Sequence, residues 1–233
     1  MSQQTMTTNG YFGPGLFRFL RDLKTHNERS WFEANKQRYK TDVQAPFLRL
    51  IADLAPALKK IGGGFIADPS PNGGSMMRIY RDIRFSKDKS PYKTYAAAHF
   101  RHANGKDGAV PAYFLHLEPG NSVIGCGIWQ PEPKALKKLR DKIVADPNGW
   151  GRATTGGALG STCRMAGESL KRPPAGYDPA HPFIEDIKRK DFAISTPLTD
   201  QEVTGDDFLD LVLHRLRATA PFVQFLSNAV GLP

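Results

Sequence analysis

The sequence predicts an α+β fold, a mainly antiparallel sheet flanked by N-terminal and C-terminal helices. Three observations carry this. Apolar residues recur at helical spacing near both ends of the 233-residue chain and at strand spacing through its middle, so helices and strands are segregated rather than alternating as in a parallel array. The tetrapeptide Glu118-Pro119-Gly120-Asn121 separates two alternating segments, which is the pattern of an antiparallel hairpin. No internal repeat and no long linker divides the chain, so residues 1–12 read as a flexible leader and 13–233 as a single α+β domain.

In order, Leu16, Phe17, Phe19, Leu20 and Leu23 mark a first helix over 14–25, with Pro14 in its first turn. Asn27 is the expected N-cap of a second, longer helix, with Trp31, Phe32 and Tyr39 on its core side and an end, kink or restart at Pro46. An apolar stripe from Phe47 to Leu58 then runs to Gly62. Segments 64–67 and 76–80 read as extended, with Met77 and Ile79 on one face and Arg78 and Tyr80 on the other. Strands come next over 94–101, 112–118 and 122–129. In the last, Val123, Gly125, Gly127 and Trp129 share one face, and Ile124, Cys126 and Ile128 the other. Core packing is the preferred reading for Trp129, with a pocket wall as the alternative. A helix over 131–146 ends at Asp146-Pro147-Asn148-Gly149. A short element lies near 161–166, a short helix over 182–190 and a strand over 191–196. Thr199 or Asp200 caps the next helical turn, and a long helix spans 205–230 with a kink at Pro221.

Composition narrows the class. Hydrophobic residues make up 40% of the chain, and fourteen Phe, seven Tyr and three Trp supply large buried areas, so a real core is expected. No apolar run reaches the roughly 18 residues of a membrane span, and the polar N-terminus lacks the features of a secretion signal, so the expected setting is cytoplasmic. Two cysteines cannot make a disulfide framework. Cys126 reads as a buried core residue, whereas Cys163 lies in a Gly/Ser/Thr-rich stretch. The formal net charge of +9 favours anionic partners such as nucleic acid, nucleotides or other phosphate esters.

The densest feature is the sixteen-residue run Arg78–Lys93. Six basic residues, Arg78, Arg81, Arg84, Lys87, Lys89 and Lys93, stand against Asp82 and Asp88, with Tyr80, Phe85 and Tyr92 threaded between them. Forked guanidinium donors and mobile ammonium groups match phosphate, and Tyr80 or Tyr92 can stack on a ring or donate a hydroxyl. These eight cations and tyrosines (Arg78, Tyr80, Arg81, Arg84, Lys87, Lys89, Tyr92 and Lys93) are the expected anion-binding residues. Two other readings use the same residues. In a metal-assisted phosphoester hydrolase, Asp82 and Asp88, or a face made of His99, His116 and Glu118, would hold a metal. In a non-catalytic scaffold, Asp82 and Asp88 would pair with the arginines and lysines, and Phe85, Pro91 and Tyr92 would pin the loop. No Walker, Rossmann, HExxH or nucleophile-elbow pattern is present.

The run from Arg78 to Thr94 resembles the signature of an uncharacterised conserved family of bacterial and fungal proteins, domain of unknown function 2461. So do His26-Asn27, Trp31-Phe32, Asn35-Lys36, Tyr113 to Gly120, Gly125 to Trp129 and Thr196 to Asp200. The resemblance spans nearly the whole chain, from about Phe12 to Phe225. It implies one domain, and it brings no catalytic residue, reaction, cofactor or oligomeric state.

Overall fold

The computed structural model describes residues 10–62, 64–105, 109–155 and 163–232. Helix α1 (Gly15–Thr25) is followed by α2 (Arg29–Arg38), a π-helical segment (Tyr39–Gln44) and α3 (Ala45–Gly62). The expected interruption near Pro46 is thus a widened stretch just before it, and the chain axis continues into α3. Of the expected leader, residues 1–9 lie outside the described residues. Phe12, by contrast, is buried, with its ring edge-on to Phe47 and Phe208, and Tyr11 donates a hydrogen bond to Asp53.

Strands β1 (Ala96–Arg101), β2 (Ala112–Leu117), β3 (Ser122–Ile128), β4 (Arg164–Ala166) and β5 (Phe192–Leu198) form one antiparallel sheet in the order β1-β2-β3-β5-β4. The β2–β3 turn is dictated by its sequence. Pro119 fits the first central position, Gly120 takes a positive φ of 69°, and the Asn121 N–H donates to the Glu118 carbonyl at 3.0 Å. A second short pairing extends the sheet beyond β1. The Met77 N–H donates to the Ala97 carbonyl at 2.8 Å and the His99 N–H to the Ser75 carbonyl at 2.9 Å. Met76 and Ile79 are buried there, whereas Met77 is 44% exposed. The strict alternation expected over 76–80 therefore fails at Met77, because the segment leaves the sheet edge after one bridge, Met76 to Ala98.

Between β3 and β5 come α4 (Pro133–Ala145), α5 (Pro147–Thr155) and the short α6 (Ile184–Ile187). After β5 come α7 (Asp200–Thr204) and α8 (Phe208–Val230). Asp146 to Gly149 does end α4, but it also opens α5, with the Asp146 carboxylate accepting from the Gly149 N–H at 2.9 Å. Thr199 caps α7 in a reciprocal box with Glu202. Alternation sends Tyr113, Leu115, Ile124, Cys126, Ile128, Phe192 and Ile194 into one buried cluster with the helices. No helix among the described residues is long and apolar enough to cross a membrane.

Trp150 is the largest fully buried side chain, set against Phe192, Phe222 and Phe225, and its indole N–H donates to Asp186 at 2.8 Å. Trp150→Ala is expected to cost about 3–5 kcal/mol through the cavity it leaves. Trp150→Phe is expected to cost less, about 1–3 kcal/mol, chiefly from the Asp186 oxygen that loses its indole donor, the other oxygen keeping Arg189. Urea denaturation followed by far-UV circular dichroism measures both.

Candidate functional site

The Arg78–Lys93 run folds back on itself as a hairpin. The Lys93 N–H donates to the Ile79 carbonyl at 2.8 Å and the Arg81 N–H to the Pro91 carbonyl at 2.9 Å, with Tyr80 bridged to Tyr92. Its base is fixed from the helical layer. Asn27, between α1 and α2, donates from Nδ2 to the Tyr92 carbonyl and accepts the Tyr92 N–H at Oδ1, both at 3.0 Å. A side-chain amide thereby takes the place of a neighbouring strand. This corrects the expected N-cap role of Asn27: Glu28 is the residue at the cap, without a side-chain bond. Phe32 stacks on Tyr92 with ring centroids 4.2 Å apart, and Tyr39 and Tyr80 close the ring cluster around them.

The two carboxylates of the hairpin belong to its arginines. Asp82 takes two hydrogen bonds from the Arg84 guanidinium, at 3.0 and 2.7 Å. Asp88 is ion-paired with Arg81 and accepts the Ser90 N–H at 2.9 Å and the Ser90 hydroxyl at 2.6 Å. Both carboxyls are held below the ordinary range, Asp82 chiefly by the Arg84 guanidinium and Asp88 chiefly by the Ser90 hydroxyl. Lys89 donates to the Ile83 carbonyl at 3.0 Å and Lys93 to the Arg78 carbonyl at 2.8 Å. The side chains of Arg78 and Lys87 make no hydrogen bond or ion pair among the described residues. The ion pairs expected of Asp82 and Asp88 are formed, with Arg84 and Arg81, but the expected pinning by Phe85 is not. That ring does not pin the loop. It stands 95% exposed at the tip, with the Arg84 guanidinium 5.8 Å from its centroid.

Two cavities adjoin the hairpin. One, of about 590 Å3, is walled by Lys24, Asn27, Arg81, Asp82, Asp88, Lys93 and Tyr95. The other, of about 230 Å3, is walled by Lys36, Lys40, Arg78 and Tyr80. Burial, then the neighbouring Arg78 charge, pulls the Lys93 ammonium below its ordinary value. Lys24 and Lys40 enter the site only through folding, since nothing in their helical context marks them.

The histidine face assembles only in part. His116 contacts Glu118 at 3.2 Å, and Asn121 donates to the same carboxylate at 2.9 Å. His99 pairs across the sheet with Phe114, one diagonal away from His116. Among the described residues no three His, Cys, Asp or Glu side chains are grouped as a metal site would need. The convergence of His99, His116 and Glu118 that the hydrolase alternative would need is not formed among the described residues, because adjacent registers separate the two imidazoles. Trp129 is 56% exposed rather than core. It stands on the outer side of the sheet, opposite to the helices.

A family model for a conserved hypothetical protein, DUF2461, matches residues 15–225. The chain belongs to this family. No curated protein and no solved structure matches it. The segments that suggested the family meet in space. His26-Asn27 and Trp31-Phe32 lie at the base of the hairpin, while Asp200 accepts the Gly120 N–H at 2.8 Å and so ties the end of β5 to the β2–β3 turn.

Asn27→Ala removes both bonds to Tyr92 and is expected to cost about 1–3 kcal/mol, a fall in melting temperature of about 2–4 °C per kcal/mol. Asn27→Asp keeps an acceptor but loses the donor, and should fall between. A thermal melt of the three proteins checks the order. Tyr39, buried beneath the hairpin, has its phenol pushed up to about 12 by burial and then by Tyr80. A phenol held neutral in the fold stabilises it fully below the unfolded value of 10.0 and loses that contribution as pH rises towards 12. Tyr39→Phe is expected to flatten the alkaline fall in stability by about 1.4 kcal/mol per pH unit between those limits, read from urea melts at stepped pH.

Proposed function

We propose that the protein binds a phosphate-bearing ligand, a phosphorylated small molecule or a nucleic-acid strand, through the Arg78–Lys93 hairpin. The observation that carries this is a surplus of cations over carboxylates in the hairpin. Asp88 and Asp82 are ion-paired with Arg81 and Arg84, while the side chains of Arg78 and Lys87 make no hydrogen bond or ion pair among the described residues. Lys93 is held below its ordinary value by burial and by Arg78. Crowding of like charge costs free energy in the empty site, and an arriving phosphate would relieve it. Lys24 and Lys93 project from two elements onto one cavity, and Arg81 reaches it in a posture set by Asp88, Ser90 and Ser86. That is an oriented set of donors suited to phosphate oxygens.

The carboxylates act here as orienting groups rather than metal ligands, and the reading assigns no chemical step. We also propose a cytoplasmic setting, in keeping with two free cysteines, Cys126 and Cys163.

The test uses tripolyphosphate, ATP and a labelled oligonucleotide as probes, with affinities measured from 50 to 300 mM salt. The expected result is binding that weakens with salt. Arg78→Glu with Lys87→Glu should lower affinity at least about tenfold and flatten the log–log salt slope by about 1 per lost contact. Arg84→Ala, which removes a cation already neutralised by Asp82, should do much less. Equal affinity of the double variant and the parent would overturn the proposal.

A further inference from the structure

The outer face of the sheet adjoins the cationic cavity and differs from it in character. It forms a groove of about 540 Å3 walled by Met77, Tyr95, Phe114, His116, Val123 and Trp129. Tyr95 lines both cavities, so they meet at one ring. Ala97 and Ala98 of β1 also line it, and small residues continue on the same face of the sheet at Gly125, Gly127 and Ala193. A Cβ added at Gly125 would lie 2.4 Å from the Phe114 Cζ and 2.4 Å from the Ile194 carbonyl oxygen, so glycine leaves room there for both the half-buried ring and the β5 backbone. Trp129 is more than half exposed beyond that ring. Tyr95 rests 4.3 Å from the His116 ring, which Glu118 holds in place. Ring surfaces thus succeed one another from the cationic cavity along the sheet. Exposed Arg164 stands on the same face at its β4 edge.

We propose that this face takes single-stranded nucleic acid, with a backbone phosphate in the Lys24–Arg81–Lys93 cavity and successive bases on Tyr95, Phe114 and Trp129. The proposal rests on the phosphate-binding reading above and adds the polymer and the stacking surface. Charge complementarity selects the occupant. A chain of regularly spaced anions can meet cations at the cavity and at the β4 edge, while its unpaired bases cover rings that a duplex would leave bare. A wholly apolar ligand would use the rings and leave the cations unmet.

The experiment uses the full chain, tripolyphosphate, ATP, and poly-pyrimidine strands of about 12 nucleotides, a length suited to one such surface. Fluorescence anisotropy and tryptophan emission are read together. The strand should bind more tightly than ATP or a duplex of equal length and should quench Trp129. Trp129→Ala and, separately, Phe114→Leu should each weaken strand binding about 5- to 100-fold while leaving tripolyphosphate affinity unchanged. Trp129 is exposed, so its loss leaves the core intact. Strand affinity unchanged in both variants, or ATP binding as tightly as the strand, overturns this proposal while the phosphate reading stands. Failure of tripolyphosphate, ATP and strand alike overturns the phosphate reading, and this proposal falls with it.

Discussion

Two hydrogen bonds from one side-chain amide join the helical layer to the charged hairpin. Asn27 satisfies the N–H and the carbonyl of Tyr92 together, and Phe32 stacks on the Tyr92 ring a few ångströms away. A hairpin of alternating charge has little apolar area of its own to bury, and two-stranded hairpins are marginal in water. Anchored at Tyr92, it can hold Arg78 and Lys93 close despite their mutual repulsion. The rest of the site depends on that anchor. Without it, the backbone of Tyr92 would lose its only tie to the helical layer among the described residues, and the strands from Ile79 to Arg81 and from Pro91 to Lys93 would be held there by ring packing alone.

Within the hairpin, charge is divided between building and presenting. Arg81 and Arg84 are consumed by Asp88 and Asp82, and Lys89 by a backbone carbonyl. These are exposed contacts, each worth little alone. Their effect is geometric, since they fix a tip that projects Phe85 and leave Arg78 and Lys87 outside the network. A loop in which every charge was paired would have no electrostatic attraction to offer, and one in which none was paired would have no fixed shape.

The fold was largely legible in the sequence because periodicity and turn chemistry agree along most of the chain. The β2–β3 turn, the alternation of Ile124, Cys126 and Ile128, and the capping at Thr199 all arise from local patterns. The failures fall where a distant partner overrides the local signal. Asn27 reads as a helix cap until a strand arrives to claim its amide. Met77 reads as inward until the segment leaves the edge of β1 after one bridge. Trp129 reads as core because a large ring is usually buried, and nothing local shows that the helices take only the other face of the sheet. The hairpin's composition was visible, but its pairing was not: sequence spacing cannot tell which carboxylate meets which arginine.

The two faces of the sheet show how that limit bears on function. Strand alternation assigns Gly125 and Gly127 to one side, and their lack of side chains alone would fit close packing by another element. The structure gives two causes within the sheet itself. A Cβ at Gly125 would meet both the Ile194 carbonyl oxygen and the Phe114 Cζ at 2.4 Å, and a Cβ at Gly127 would meet the Phe192 carbonyl oxygen at 2.1 Å. The β5 backbone and a ring on β2 therefore take that space, and no further element is needed to account for the glycines. With half-buried Phe114 and exposed Trp129 on this side, the face away from the helices presents rings where alternation by itself would leave only small residues.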